Sequence, residues 1–283
     1  MKNYISYIPN KNKYLPVDFL NLIFYNFYNF IFYLIYFFIK MISIDQVHDF
    51  WNENSCGEIY AKGRDQAEKY ATETKTRYLL EPYIKDFAEF ESFEDLNVLE
   101  IGIGMGSDHS SIAYSNPKSL IGIDLTERAI NHTKSRFNSL GLKANLKVDN
   151  AENLSFKDNQ FDAVYSWGVL HHSINTKKCF EELHRVLKPG GSAKIMIYHK
   201  YSPTGFMLWL RYGMIKFKSI DSVYCDYLES TGTKAYSIQE AKNLTKIFEK
   251  VNIKVQLCFA DLLEGDVGQR HRGITLSIVK FIY

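Results

Sequence analysis

The chain has 283 residues, with 34 Lys and Arg against 32 Asp and Glu and a formal net charge of +2. This length suits one large domain, or one domain with an appendage. A charge this small lacks the basic footprint of a nucleic-acid-binding protein, so we expect no nucleic-acid partner. The composition, 46% hydrophobic and 23% charged, excludes a disordered or collagen-like chain. The four cysteines form no CxxC pair, which predicts reduced thiols in a cytoplasmic protein, without a disulfide framework or a metal site.

Residues 1–40 differ from the rest of the chain, because 30 of these 40 residues are Phe, Ile, Lys, Asn or Tyr. Residues 19–39 carry no charge and are long enough, as a helix, to cross a bilayer core of about 30 Å. Three asparagines inside this stretch oppose insertion, because their amides need partners there. Tyrosines are spread along the stretch, whereas Tyr in membrane helices is enriched at the two interfaces. Lysines precede the stretch, so the positive-inside rule would place the main domain outside the cytoplasm.

Three interpretations of this extension stay open. It is a membrane helix at 19–39, an interfacial anchor, or spurious translation of upstream A/T-rich DNA with Met41 as the true start. We expect a cytoplasmic protein, associated with a membrane only if residues 19–39 are translated and inserted.

Residues 41–92 are predicted to form a helical N-terminal cap, since apolar residues recur at helical spacing from about 45 to 91. Pro82 is the breaker in this stretch, and the polar sequence at 51–58 predicts a loop.

From Asn97 onward, short apolar runs alternate with polar, helix-compatible segments. The predicted strands are 97–101, 119–124, 144–149, 161–166 and 193–199. Helices are predicted at 127–140 and 175–187, the second ended by Pro189-Gly190-Gly191 as a turn before the next strand. Strands alternating with helices predict a parallel sheet with right-handed crossovers, covered on both faces.

The last part of the chain completes the predicted fold. Residues 252–259 and 274–282 are predicted as an antiparallel pair of strands, and an apolar insert lies at 201–235. The predicted fold class is therefore α/β: a doubly wound, mostly parallel, seven-stranded Rossmann-like sheet with an antiparallel terminal strand. It would occupy residues 93–283, below the helical N-terminal lid.

A glycine-rich turn follows the first predicted strand. Gly102, Gly104 and Gly106 separate that strand from a helix start, which allows a tight turn and close approach of backbone N–H groups to a ligand. Their spacing is G-x-G-x-G, whereas a dinucleotide fingerprint is G-x-G-x-x-G. Eighteen residues after Gly106, the second strand ends at Asp124, whose carboxylate can accept both hydroxyls of a ribose.

With these elements in place, the chain resembles the class I S-adenosylmethionine-dependent methyltransferases, in particular the broad small-molecule group with a type 11-like methyltransferase domain. The segments that carry the resemblance are VLEIGIGMG (98–106), IGID (121–124), DNAENLSF (149–156), FDAVYSWGVLHH (161–172) and ELHRVLKPGG (182–191).

The resemblance implies that several positions contact S-adenosylmethionine. They are Glu100, Gly102, Gly104 and Gly106 at its methionine part, Asp124 at the ribose hydroxyls, Leu125 and Ala151 at the adenine, and Ser166 and Trp167 on its other side. The family usually has Asp where this chain has Asn150. The amide oxygen of Asn150 can still accept a hydrogen bond from an amine.

A general base, if the acceptor needs one, should lie at the carboxyl ends of the strands. The candidates there are His171, His172 and His199, and each is also compatible with a packing role. Trp51, Tyr60 and Arg77 are predicted on the lid side, and the apolar residues Phe206, Met207, Trp209 and Leu210 of the insert are predicted to pack on the sheet.

The leading hypothesis is a methyl transfer to an O, N or C atom of a small-molecule or lipid-like acceptor. The alternatives are an NAD-dependent oxidoreductase on a similar sheet and a cofactor-binding scaffold without catalysis. Neither the acceptor nor the oligomeric state is indicated by any motif.

Overall fold

The computed structural model describes residues 43–261 and four later positions, Ile274, Ser277, Ile278 and Phe281. The described part belongs to one compact unit, residues 42–283. The hydrophobic extension at 1–40 lies outside the described residues, and so does most of the predicted strand at 274–282. The four positions described near the C-terminus are helical, not extended.

Helices form the N-terminal cap, as predicted. Helix α1 (Ile44–Glu53) begins at a capping box in which Ser43 and Gln46 satisfy each other's backbone N–H groups. Helix α2 (Gln66–Leu80) begins at Asp65, whose side chain accepts from the N–H of Glu68, and α3 (Tyr83–Ala88) begins directly after Pro82. The loop predicted from residue 51 starts only after Glu53, because α1 continues through Trp51.

The described sheet has five strands. They are β1 (Asn97–Ile101), β2 (Ser119–Asp124), β3 (Leu146–Val148), β4 (Phe161–Trp167) and β5 (Leu187–Met196). Their order is β3-β2-β1-β4-β5, and every neighbouring pair is parallel. The chain direction across the sheet therefore reverses between β1 and β4, which places a crevice at the carboxyl ends of these strands.

Helices cover both faces of this sheet. The helices that follow β1 along the chain are α4 (Ser107–Tyr114), α5 (Glu127–Leu140), α6 (Thr176–Val186), α7 (Pro203–Tyr212), α8 (Ile220–Tyr227) and α9 (Ile238–Thr245). On one face, Leu99 of β1 packs in a cluster with Leu183 of α6; on the other, Val98 packs with Ile84 of α3. This arrangement confirms the doubly wound, Rossmann-like α/β fold.

Two predictions about the sheet are not confirmed. The seven strands and the antiparallel terminal strand do not appear in the described residues, because residues 251–258 form no strand there. The strand predicted at 193–199 runs instead from Leu187 to Met196, so Pro189-Gly190-Gly191 lies inside β5. The pairing with β4 shifts register there, and Gly190 has φ +78°, which marks a bulge in place of the predicted turn.

The apolar residues of the insert were predicted to pack on the sheet, but they form a small core of their own. Met207, Leu208 and Val223 are buried, and the remaining apolar side chains pack around them: Phe206, Trp209, Leu210, Tyr212, Tyr227 and Leu228. Within the described ranges, none of the helices combines the length and the apolar character needed to cross a membrane.

Leu183→Ala should lower the free energy of unfolding by about 2–5 kcal/mol, because Leu183 is fully buried between α6 and the sheet and its loss leaves a cavity. Urea denaturation followed by circular dichroism measures the change. Lys177→Ala, on the same helix with its side chain 70% exposed, should change it by less than about 0.5 kcal/mol. Equal effects of the two substitutions would contradict this packing.

Candidate active site

A cleft opens at the carboxyl ends of the central strands. It is lined by nearly all of the predicted cofactor positions: Glu100, Gly102, Gly104, Gly106, Asp124, Leu125, Asn150, Ala151 and Trp167. Ser166 is the exception. Its side chain is fully buried, and its hydroxyl donates to the carbonyl of Ile101 at 3.0 Å, so it joins β4 to β1 instead of facing the cleft.

The glycine loop adopts backbone angles that favour glycine, with φ +81° at Gly102, +49° at Gly104 and +79° at Gly106. A Cβ atom at Gly102 would come within 2.1 Å of Val169, and one at Gly106 within 2.7 Å of Thr133. A Cβ at Gly104 would meet nothing within 4 Å. The space above Gly104 belongs to the cleft, so a ligand there can lie directly against the backbone.

Asp124 closes this loop. Its Oδ2 accepts from the N–H of Gly104 at 3.1 Å, and its Oδ1 accepts from the N–H and hydroxyl of Thr126 at 3.0 and 2.9 Å. Burial raises the pKa of Asp124, while these hydrogen bonds oppose the rise. The N–H of Leu125 also contributes to the hydrogen bonding of this carboxylate, which brings its donors from the chain to four.

Glu100 has a structural partner as well as a place on the cleft wall. Its Oε2 lies 2.8 Å from Nδ1 of His109 on α4, and both side chains are buried. Burial, with the charges of Asp108 and Asp124, raises the pKa of Glu100 well above its usual range. Burial lowers the pKa of His109 to about 3, which keeps the imidazole neutral. Glu100 therefore fixes α4 against β1 in addition to facing the cleft.

Helix α2 is joined to the start of α4 by a buried ion pair. Arg77 donates to Asp108 through two hydrogen bonds of 3.0 and 2.7 Å, and Tyr78 and Tyr165 donate to the same carboxylate. Burial alone would raise the pKa of Asp108, but the charge and hydrogen bonds of Arg77 outweigh it and hold that pKa below its usual value. Arg77 lines the cleft, and its guanidinium is paired with Asp108.

A second buried ion pair supports the glycine loop from behind. Arg136 of α5 pairs with Glu73 of α2, and its Nε donates to the carbonyl of Met105 at 2.7 Å. The carboxylate of Glu73 also accepts from the hydroxyl of Ser107. These contacts join α2, α5 and the loop in one network. Neither Glu73 nor Arg136 belongs to a motif, so the sequence analysis missed them.

The lining of the cleft also includes His172, Tyr198 and Glu229. Nδ1 of His172 lies 3.0 Å from the hydroxyls of Ser230 and Thr233, and its Nε2 lies 3.4 Å from Oε2 of Glu229. The Tyr198 hydroxyl donates to the same Glu229 oxygen at 2.9 Å. Burial lowers the pKa of His172 to about 3, and Lys234 adds to the effect, so the ring is neutral at physiological pH.

The structure separates the three histidine candidates. Only His172 lines the cleft. His171 is fully buried and not part of the lining, and Nδ1 of His199 faces the carbonyl of Tyr236 at 3.2 Å, away from the cleft. The position of Glu229, in the polar stretch that follows α8, could not be found from the sequence because no motif marks it.

Of the lid-side predictions, Trp51 and Arg77 line the cleft and Tyr60 does not. The lining is rich in acidic residues: Glu73, Glu81, Glu100, Asp108, Asp124, Asp149, Glu152 and Glu229. Among its described members, Arg77 is the lone Lys or Arg. Several of these acidic groups are neutralised, because Arg77 pairs with Asp108, Arg136 pairs with Glu73, and burial raises the pKa of Glu100.

Part of the chain is similar to known proteins. A family model described as a methyltransferase domain matches residues 98–191. Phosphoethanolamine N-methyltransferase 2 of Caenorhabditis elegans is 30% identical over 118 residues, covering 41% of this chain and 26% of that protein. 24-methylenesterol C-methyltransferase 2 of Arabidopsis thaliana is 32% identical over 95 residues, covering 33% of this chain and 26% of that protein. The chain thus spans about a quarter of the length of these relatives.

Among solved structures, a putative methyltransferase of Bacillus halodurans is similar, with a TM-score of 0.47 and 20% identity over 58% of this chain and 68% of that chain.

Arg77→Met should destabilise the fold by about 3–5 kcal/mol at pH 7, because it leaves the buried Asp108 carboxylate without its cation. The pKa of Asp108 is depressed only while Arg77 is present, so wild type loses stability as the pH falls through that pKa. In the variant, burial raises this pKa, and protonation relieves the penalty. The difference in the free energy of unfolding between wild type and Arg77→Met should therefore be smaller at pH 4.5 than at pH 7. Urea titrations at the two pH values measure it.

Arg64→Met is the matched control, because the Arg64 side chain is 94% exposed and its partner Glu68 lies 3.7 Å away. It should change the stability by less than about 0.5 kcal/mol at both pH values. A gap between wild type and Arg77→Met that stayed constant with pH would contradict the role given to Asp108.

Proposed function

Residues 98–191 are a methyltransferase domain of the class I, S-adenosylmethionine-dependent family, and on this premise we propose that the chain transfers a methyl group from S-adenosylmethionine to an O, N or C atom of a small-molecule or lipid-like acceptor. The observation that carries the proposal is the contact between Asp124 and the N–H of Gly104, beside the open space above that glycine.

The residues around this contact fit the methyl donor. Asp124 would accept the ribose hydroxyls, and the absent Cβ of Gly104 leaves room for the methionine part. Leu125, Asn150 and Ala151 lie on the same wall and would meet the adenine.

When bound, S-adenosylmethionine supplies a methyl group on a positively charged sulfur that leaves as a neutral thioether. The chain contributes alignment of the acceptor against that methyl, from which effective molarities of up to about 10⁵–10⁸ M are available. The acceptor would lie against Trp51, His172, Tyr198 and Glu229, which share the cleft lining with the glycine loop. Because its pKa is low, the imidazole of His172 is neutral and contributes a nitrogen lone pair instead of a positive charge.

The acceptor class rests on the relatives, whose names are those of phosphoethanolamine and methylenesterol methyltransferases. Both names support a small-molecule or lipid-like acceptor. They give no support to the NAD-dependent alternative. The predicted domain boundaries, the cytoplasmic location and the membrane association through residues 19–39 stay predictions.

Gly104→Ala should weaken binding of S-adenosylhomocysteine by at least about tenfold, since the new methyl group would occupy the space of the ligand. Gly141→Ala is the matched control. Gly141 also has a positive φ, of +68°, and open space around a Cβ, but it caps α5 outside the cleft lining. Both variants should lose similar stability from backbone strain. Isothermal titration calorimetry measures the affinities.

If Gly104→Ala and Gly141→Ala bound S-adenosylhomocysteine with equal affinity, the ligand would not occupy the space next to Gly104. Tighter binding of NAD than of S-adenosylhomocysteine by wild type would favour the oxidoreductase alternative instead.

His172→Ala should lower methyl transfer by about 10²-fold or more while leaving the affinity for S-adenosylhomocysteine within about threefold, because His172 lies on the acceptor wall. Transfer is measured by mass spectrometry after incubation with methyl-deuterated S-adenosylmethionine and a cell extract. Wild type that binds the donor and labels no extract component would favour the scaffold alternative. A variant as active as wild type would remove His172 from the acceptor wall.

A further inference from the structure

His171 is a buried imidazole whose polar atoms have no protein partner in the described residues. Its side chain is 0% exposed, and neither ring nitrogen makes a hydrogen bond there. Its ring stacks on those of Tyr198 and His172, with centroids 3.9 and 4.2 Å away. Leaving a buried donor or acceptor unpaired costs about 1–3 kcal/mol, which an apolar side chain would avoid. A histidine at this position therefore offers two ring nitrogens to a partner beyond the described residues, such as a metal ion.

The neighbouring His172 contacts hydroxyl groups through Nδ1, and its Nε2 faces the carboxylate of Glu229. The Thr233 hydroxyl donates to the carbonyl of Ser230 at 2.7 Å, so its oxygen is free to accept from Nδ1–H of His172. This assignment leaves the lone pair on Nε2. A hydrogen bond that fixes the tautomer from behind is the usual support of a metal-binding histidine.

The distance between His172 and Glu229 suits a shared cation better than a hydrogen bond. Nε2 of His172 and Oε2 of Glu229 are 3.4 Å apart, and with Nδ1 protonated no proton lies between them. Two ligands at about 2.0–2.1 Å from a tetrahedral zinc ion lie roughly 3.3–3.4 Å from each other. Tyr198 donates to the same Glu229 oxygen, which orients the carboxylate.

We propose that His171, His172 and Glu229 bind a divalent transition metal ion of the zinc type at the acceptor wall. One ligand atom from each residue lies within 4.8 Å of the others. Two imidazoles and one carboxylate form the ligand set of a catalytic zinc site, which keeps a further position open. Because His172 and Glu229 line the cleft, that position faces the acceptor.

This inference rests on the proposed methyl transfer and narrows its acceptor to a compound with a hydroxyl group. The acceptor oxygen binds the metal, which lowers the pKa of the hydroxyl so that its proton leaves to solvent. The oxygen then forms a bond to the methyl carbon while the carbon–sulfur bond breaks. The products are a methyl ether, S-adenosylhomocysteine and one proton, with no change of oxidation state at the metal.

The test uses the full chain, freed of metal with a chelator and titrated with zinc by calorimetry. Wild type should bind one zinc ion, and cobalt in its place should give the visible absorption of a tetrahedral site. His171→Leu and Glu229→Gln should each weaken zinc binding by tenfold or more. His184→Gln, which removes an exposed histidine on α6 outside the cleft lining, should leave it unchanged.

S-adenosylhomocysteine affinity is measured on the same samples, and its retention reports that each variant is folded. Wild type that binds S-adenosylhomocysteine but no zinc overturns the metal site and leaves the proposed function intact. Zinc binding that is equal in wild type and His171→Leu also overturns it, because the ion then lies elsewhere. Loss of S-adenosylhomocysteine binding in wild type would instead contradict the proposed function.

Discussion

The hydrogen bond from the N–H of Gly104 to the carboxylate of Asp124 is the contact on which the cleft depends. It joins the loop after β1 to the end of β2, so two neighbouring parallel strands present their carboxyl ends as one surface. The same carboxylate also holds Thr126 at the start of α5. A single side chain thereby holds the glycine loop and the N-cap residue of α5 together.

Buried charges hold the rest of the site around this contact. Two arginines, Arg77 and Arg136, form buried ion pairs that join helix α2 of the N-terminal cap to helices α4 and α5. A buried pair is weak support for stability, yet removing one partner is costly because the other charge stays buried. Buried ion pairs thus fix the cap beside the glycine loop.

The sequence predicted the parts of the molecule that local rules determine. Alternating apolar runs located β1, β2 and β4, and the glycine spacing with Asp124 located residues that line the cleft. It could not place Glu229, whose contact with His172 joins residues 57 positions apart without a motif. Pro189-Gly190-Gly191 misled the analysis because a glycine with positive φ serves a strand bulge as well as a turn. The run at 252–259 has strand-like alternation, but its described residues pair with no strand.

A crystal structure of the full chain with S-adenosylhomocysteine tests the central claim most directly. We expect the ribose hydroxyls within hydrogen-bonding distance of Asp124 and the amino-acid end of the ligand in the space above Gly104. A ligand bound outside this cleft, or one whose ribose does not touch Asp124, would contradict the assignment of the donor site.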